Sequence, residues 1–283
     1  MNGVIVVNKE KGYTSRDVVN IIGKHFKTKK VGHTGTLDPL ATGVLVICMG
    51  KSLKLVEMLT NHDKEYIAKV KLGIETDTLD VTGNVINEKE VPNLTKEDIE
   101  KVLSEFLGHI KQQVPIFSAI KVNGKKLYEY ARNGEEVTLP VKEVDIYNLE
   151  LISDITDNTF YIKCHVSSGT YIRSLIRDIG YKLNTLATME ELQRITLGKF
   201  KIEESYTIDD INKDNYKILD VKEVIDLPII KVDLELEKRI RNGQVLKKFF
   251  DEEKVMILND KDELLAIYQQ KDETHVKPYR MFL

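Results

Sequence analysis

The most constraining stretch of this chain is VGHTGTLDPLATGVL, Val31 to Leu45. It sets three glycines, one histidine, one carboxylate and one proline against an apolar run. Gly32, Gly35 and Gly43 permit backbone angles closed to other residues and let another segment or a ligand come close. Asp38 precedes Pro39, so its backbone is driven toward the extended region. An extended, proline-locked residue between glycines presents its side chain in one fixed direction. Two readings of that carboxylate stay open. It caps the amides of an Asx-type turn, or it faces a ligand as base or nucleophile.

Around this loop strands and helices mix without a regular βαβ alternation. Gly3 to Val7 and Val44 to Cys48 read as buried strands. Thr14 or Ser15 caps a helix running to about Phe26. Lys54 to Leu59 looks helical. Tyr66, Ala68, Val70 and Leu72 alternate with Ile67, Lys69 and Lys71, a strand of period two. Thr95 and Asp98 open a helix with the stripe Ile99, Val102, Leu103, Phe106, Leu107, which Gly108 stops. Leu127 to Arg132 is a short helix. Val144 to Leu151 pairs antiparallel with Thr159 to Val166. Tyr171 to Leu183 is a helix capped by Thr170. Leu227-Pro228 looks like a boundary, and Val255 to Ile267, turning at Asn259-Asp260, reads as a small β unit. The expected class is α+β, with a mixed, mostly antiparallel central sheet and flanking helices. The expected division is a domain at 1–228 and a small β-rich unit at 229–283.

Several function classes fall away. No apolar run is long enough to span a membrane, and two cysteines are too few for a disulfide framework or zinc site. No signal peptide is recognised, so a cytoplasmic protein fits best. Gly50-Lys51-Ser52 follows a strand but lacks the earlier glycine of a phosphate-binding loop, since Leu45 stands there. No HExxH, CxxC or close histidine pair occurs, so a metal site is not expected, and no GxSxG appears. His25, His62, His109, His165 and His275 read as ordinary histidines. The net charge of -3 is uneven. Met1 to His33 carries seven cations and two anions, and Lys111 to Arg132 five and one. Two basic segments on a near-neutral chain can form one polyanion-binding face.

Two more residues stand out. Arg173, in SSGTYIRSLIRDIG, falls in the first turn of its helix. A cation there opposes the helix dipole unless an anion sits against it. Tyr66 begins its strand on the apolar face, where most tyrosines are core residues.

Six segments in order resemble one family, the TruB-type tRNA pseudouridine synthases. They are NKEKGYTS (Asn8 to Ser15), GHTGTLDPLATGVL (Gly32 to Leu45), KEYIAKVKLGIETDTLDVTG (Lys64 to Gly83), QQVPIFSAIKVNGKKLYEYARNG (Gln112 to Gly134), GTYIRSLIRDIG (Gly169 to Gly180) and LQRITLGKF (Leu192 to Phe200). They cover most of Met1 to Phe200. The C-terminal fifty or so residues match only loosely, as the small PUA-like domain of such enzymes. The resemblance implies isomerisation of uridine to pseudouridine in the T-arm loop of tRNA, at tRNA position 55, without cofactor or metal. The uridine N1 bond breaks, the base turns, and a bond forms to C5. By motif position Asp38 is then the catalytic carboxylate. Tyr66 would stack on the flipped base and transfer protons. Arg173 would pair with Asp38, supplying the anion its helix position requires. Lys9, Tyr171 and Leu192 would line the pocket, and His33 would lie against the RNA. Residues 112–140 resemble the family's RNA-gripping insertion, with Lys121, Lys125, Lys126 and Arg132 on backbone phosphates. Such a segment can order on binding.

The chemistry fits these residues. Flipping a nucleotide costs a few kcal/mol, and stacking on an aromatic returns about 1–3 kcal/mol. A cation alongside favours the ionised form of a carboxylate. Whether Asp38 attacks C1′, deprotonates C2′ or adds to the base is open. One departure is Lys9-Glu10, where the family commonly has Lys-Pro. Two rival readings are a non-catalytic RNA-folding protein on the same scaffold, which can coexist with catalysis, and a nucleoside hydrolase, which would not need the basic insertion. A monomer is expected.

Overall fold

A computed structural model describes every residue from Met1 to Leu283. Its main sheet has nine strands: β1 (Gly3–Lys9), β2 (Val31–His33), β3 (Thr42–Met49), β4 (Lys64–Leu72), β5 (Gly108–Gln113), β6 (Val141–Leu151), β7 (Thr159–Val166), β8 (Ala187–Leu197) and β9 (Phe200–Lys201). The order is β1-β3-β8-β4-β7-β6-β5, with β2 on β3 and β9 on β8. Neighbours are antiparallel except β3 and β8, which run parallel where Thr42 and Gly43 meet Gln193 and Arg194. The fold is α+β with a mostly antiparallel sheet.

Helix starts follow their capping residues. Helix α1 (Ser15–His25) opens at Thr14, whose hydroxyl accepts from the Asp17 amide while the Asp17 carboxylate accepts from the Thr14 amide. Helix α2 (Lys96–Ser104) repeats this with Thr95 and Asp98. It stops before Phe106 and Leu107. Helix α3 (Leu127–Asn133) ends at Gly134, whose φ of 65° is left-handed. Helix α4 (Ile172–Lys182) has Tyr171 at its N-cap rather than Thr170, whose hydroxyl donates to the Ser167 carbonyl. Gly50–Leu55 is a 3-10 turn, followed by a short α-helix at Val56–Thr60.

Alternation along the strands feeds two cores. Ile5, Val7, Leu45, Ile47, Ala68 and Val70 meet Val18 and Ile22 of α1 and Ile176 and Ile179 of α4. Val4, Val6, Val44, Val46 and Cys48 point the other way, against Leu55, Leu59, Val221 and Val224. The same second core takes Met256, Leu258, Ile267 and Phe282 from the C-terminal sheet. That sheet has five strands: β10 (Ile229–Lys231), β11 (Leu246–Lys247), β12 (Lys254–Leu258), β13 (Leu264–Gln270) and β14 (His275–Met281), ordered β10-β12-β13-β14-β11. It contains the small β unit expected at Val255 to Ile267 and extends it on both sides. Its first turn is set by Asn259, whose side-chain oxygen accepts from the amides of Lys261 and Glu263. The open edge of β1 is covered by backbone bonds to Tyr206 and Leu219. No helix is long and apolar enough to cross a membrane.

Only two of the three loop glycines use left-handed backbone: Gly35 (φ 118°) and Gly43 (φ 98°). Gly32 lies in β2. At Gly43 the sheet itself makes the demand, because a Cβ there would overlap the Arg194 carbonyl oxygen on β8. Gly43→Ala should therefore lower stability by at least ~2 kcal/mol, read as a lower urea midpoint. An unchanged midpoint would mean that β3 and β8 do not need this close approach.

Candidate active site

A cleft of about 620 Å³ opens where the Gly35–Asp38 loop, β4, β8, the start of α4 and the Phe117–Ala119 segment converge. The loop is pinned from behind. The Ser15 hydroxyl accepts from the Leu37 amide at 2.8 Å and donates to the Leu37 carbonyl at 3.1 Å. The Gly12 amide donates to the Pro39 carbonyl at 2.8 Å. No neighbouring amide donates to the Asp38 carboxylate, so the Asx-turn reading gives way. Its partner is Arg173, with Nη2 3.0 Å from Oδ2. Arg173 is buried, while the Asp38 side chain is 35% exposed to the cleft.

The Arg173 guanidinium has three acceptors on three segments. Besides Asp38, it donates to the carbonyls of Thr78 at 2.8 Å and Phe117 at 3.0 Å. Its place at the helix start is thus accounted for by an anion. Tyr171, one residue earlier, is fixed through its backbone. Its amide donates to Gln112 Oε1 at 2.8 Å and its carbonyl accepts from Gln112 Nε2 at 3.1 Å. Burial pushes the Tyr171 hydroxyl up.

Tyr66 lines the cleft from β4, opposite Arg194 on β8 and Cys164 on β7. Burial pushes its hydroxyl up, and the Arg194 guanidinium against it pulls the other way. Leu192 joins the wall from β8.

Lys9, expected on the wall, is instead fully buried behind the loop. Its ammonium donates to the carbonyls of Tyr13 at 2.6 Å and Glu10 at 3.0 Å. Burial pushes it down to about 8, with the Asp38 charge opposing. The contact is with the Glu10 carbonyl, which a proline would offer equally, so Glu10 leaves it intact. His33 lies on β2, off the wall, and burial holds its ring below the usual range, with Arg16 adding to the effect.

The cations of the insertion lie outside the cleft wall. Lys121–Val122 and Lys125–Lys126 form a small ribbon leading into α3. Lys125 is tied to Glu135 at 2.6 Å and sits 4.6 Å from the Tyr130 ring centre. Lys126 donates to the Tyr128 hydroxyl at 3.2 Å, and Arg132 lies 5.3 Å over the same ring. Tyr128 itself reaches the wall.

Sequence reasoning missed Arg194, Lys64, Lys142 and Ser118 on this wall. Arg194 is 1% exposed; its Nε donates to the Val44 carbonyl at 2.7 Å and Nη2 to the Gly35 carbonyl at 3.2 Å. Lys64 donates to the Thr60 carbonyl at 2.9 Å, and burial, then Arg194, pushes it down to about 8. The available signal was alternation: Lys64 and Tyr66 share one face of β4. The wall therefore holds four cations (Lys64, Lys142, Arg173, Arg194) and one carboxylate, Asp38. Such a cleft suits an anionic ligand with aromatic faces, and leaves one group free to act as nucleophile or base.

Lys9 gives a pH test. Between about pH 8 and its unfolded value of 10.5 the native chain has lost a proton the unfolded chain keeps. Stability then rises with pH in that window, and below it the full burial cost remains. The stability difference between wild type and Lys9→Met should move in favour of wild type from pH 8 to 9.5, followed by urea unfolding. A flat difference would show that the ammonium keeps its ordinary proton affinity.

Comparison with known proteins adds a family. Residues 23–172 match the model for the TruB family pseudouridylate synthase (N terminal domain), and 173–230 that for the tRNA pseudouridylate synthase B C-terminal domain. The tRNA pseudouridine synthase B of Caldanaerobacter subterraneus subsp. tengcongensis is 41% identical over 283 residues, covering 100% of this chain and 99% of the relative. That of Fusobacterium nucleatum subsp. nucleatum is 49% identical over 203 residues, covering 72% and 70%. A chain in the solved structure of a Cbf5-Nop10-Gar1 complex is 26% identical with a TM-score of 0.73, covering 99% of this chain and 85% of that one.

Proposed function

Since the chain belongs to the TruB family of pseudouridylate synthases, we propose that it isomerises uridine to pseudouridine in the T-arm loop of tRNA, at tRNA position 55. The observation that carries this reading is a wall of four cations around a single, partly exposed carboxylate held 3.0 Å from Arg173. A polyanion is drawn in, and Asp38 is the only carboxylate among the lining residues, ready to act as nucleophile or base.

In this reading the target uridine leaves the stack and enters the cleft, because C1′ is out of reach inside a paired loop. Tyr66 and Tyr171 supply the faces on which the base rests, and Leu192 closes the apolar side. Asp38, kept ionised and oriented by Arg173, drives the break between N1 and C1′. The base turns in place and C5 joins C1′. Tyr66 sits on the same wall to move the proton that leaves C5. Lys9 acts from behind, holding the Glu10–Tyr13 turn that backs the loop, and His33 lies beside the RNA at the mouth. Lys121, Lys126 and Arg132 of the insertion meet backbone phosphates; Lys125 joins them on releasing Glu135. We expect a cytoplasmic monomer, which sedimentation with and without tRNA tests.

Tritium release from a 5-[³H]uridine tRNA transcript separates this from a purely RNA-folding role. Wild type should release tritium and form product at the T-arm uridine. Asp38→Asn should release none, while its tRNA affinity stays within about threefold. Near-normal turnover by Asp38→Asn would remove Asp38 from the chemistry, and tight binding without release by wild type would favour the folding role. Replacing Lys126 and Arg132 by Ala should weaken tRNA binding and flatten its salt dependence by about one slope unit per phosphate contact. An unchanged slope would mean that the insertion is not the grip.

A further inference from the structure

Arg194 is a buried cation without a counter-ion. Its side chain is among the largest in the molecule with essentially no exposure. Its donors go to the carbonyls of Val44 and Gly35, which satisfy hydrogen bonds but do not cancel charge. The other cations close by are Lys64 and Lys9, which add to the excess rather than balancing it. A buried charge that lacks an opposite charge costs several kcal/mol. That cost is sustained here by the backbone: Gly43 brings β3 against Arg194, and Gly35 brings the catalytic loop. Its charge reaches Lys9, His33, Lys64 and Tyr66, and of these only the hydroxyl of Tyr66, its cross-strand partner, can become an anion. The remaining groups near that hydroxyl are the Cys164 thiol, held protonated by burial, and Asp38 across the cleft.

We propose that Arg194 is the positioning residue for Tyr66: it fixes the hydroxyl in the cleft and supplies the counter-charge when that hydroxyl becomes a phenolate during removal of the C5 proton. The proposal rests on the uridine isomerisation argued above. Once C5 has bonded to C1′, the turned base is a neutral imine, with hydrogen still on C5 and none on N1. Tyr66 releases its proton to N1 by way of solvent and becomes a phenolate. The phenolate takes the proton from C5, whose bonding electrons return to the ring. The base has gained a proton at N1 and lost one at C5, and Tyr66 is restored. No outside base or oxidant is needed. Tyr66 is protonated at rest, so the phenolate exists only while a positive charge stands beside it. The transition state for C5 proton loss carries part of that negative charge, and Arg194 lowers it.

The test compares wild type, Arg194→Gln and Arg194→Lys in single turnover on full-length tRNA carrying either 5-[¹H] or 5-[²H]uridine at the target. Arg194→Gln is expected to slow product formation at least about tenfold and to raise the C5 isotope effect above that of wild type. Its tRNA dissociation constant should stay within about threefold. Arg194→Lys restores a charge and should return both rate and isotope effect most of the way. The proposal is overturned if both variants slow alike with an unchanged isotope effect, which would make Arg194 a support for the loop alone. It is equally overturned if the dissociation constant rises in step with the rate loss, which would make Arg194 an RNA-phosphate contact. Should Arg194→Gln not fold, Arg194→Lys decides: a near-normal rate and isotope effect supports the charge role, and a loss above tenfold with an unchanged isotope effect overturns it. Absence of product from wild type itself would instead overturn the isomerase reading.

Discussion

The cleft is held together by one guanidinium. Arg173 binds the Asp38 carboxylate, the Thr78 carbonyl and the Phe117 carbonyl, and each acceptor comes from a different segment. The Asp38 loop, the turn after β4 and the Phe117 segment therefore share a single buried cation. The planar fork of arginine allows three such partners at fixed angles, which a lysine could not match. Removing one member of a buried pair is costly because the rest are left unmatched. The strength of this junction thus lies in its mutual dependence.

Behind it stands a second constraint, the parallel seam between β3 and β8. Parallel neighbours are rare in a sheet of this kind, and here the seam is only two residues long. Its shortness matters. β3 leaves the Asp38 loop at Gly43 and touches β8 at Arg194, so the loop's exit and the floor beneath Tyr66 are fixed by one backbone contact. Asp38 and Tyr66, distant in sequence, are set relative to each other by strand register rather than by loop packing.

Much of this was legible in the sequence because local rules and tertiary demands agreed. Threonine caps placed α1 and α2, period-two alternation placed β4, and the misfit of Arg173 with a helix start pointed to an anion. The central strand β8 was not foreseen. ATMEELQRITL carries Glu190, Glu191 and Arg194, three charges that break up its apolar pattern. In the fold Glu190 pairs with Lys69 at 2.9 Å, Glu191 accepts from Tyr161 at 3.2 Å, and Arg194 is buried. The pairing with β4 also shifts register twice, between Met189 and Glu191 and between Arg194 and Thr196. Each shift breaks the alternation by which a strand is recognised. Edge strand β5, GHIKQQ, is mostly exposed and has no apolar face to announce it. Lys9 was placed on the wall by the family resemblance alone, and its actual partners, two backbone carbonyls, leave no trace in side-chain chemistry.

The C-terminal sheet packs one face on a core of its own, with Val255, Ile257, Leu265 and Tyr268, and shares the other. Met256, Leu258, Ile267 and Phe282 finish a core whose other half is the back of β1 and β3. These are the strands that carry Lys9 and Gly43 at their ends. Heat or denaturant should therefore find one cooperative unit, with the terminal sheet melting together with the scaffold. A shorter chain ending before β10 would leave that core open to water, and would need new apolar cover on its reverse side before its front could work.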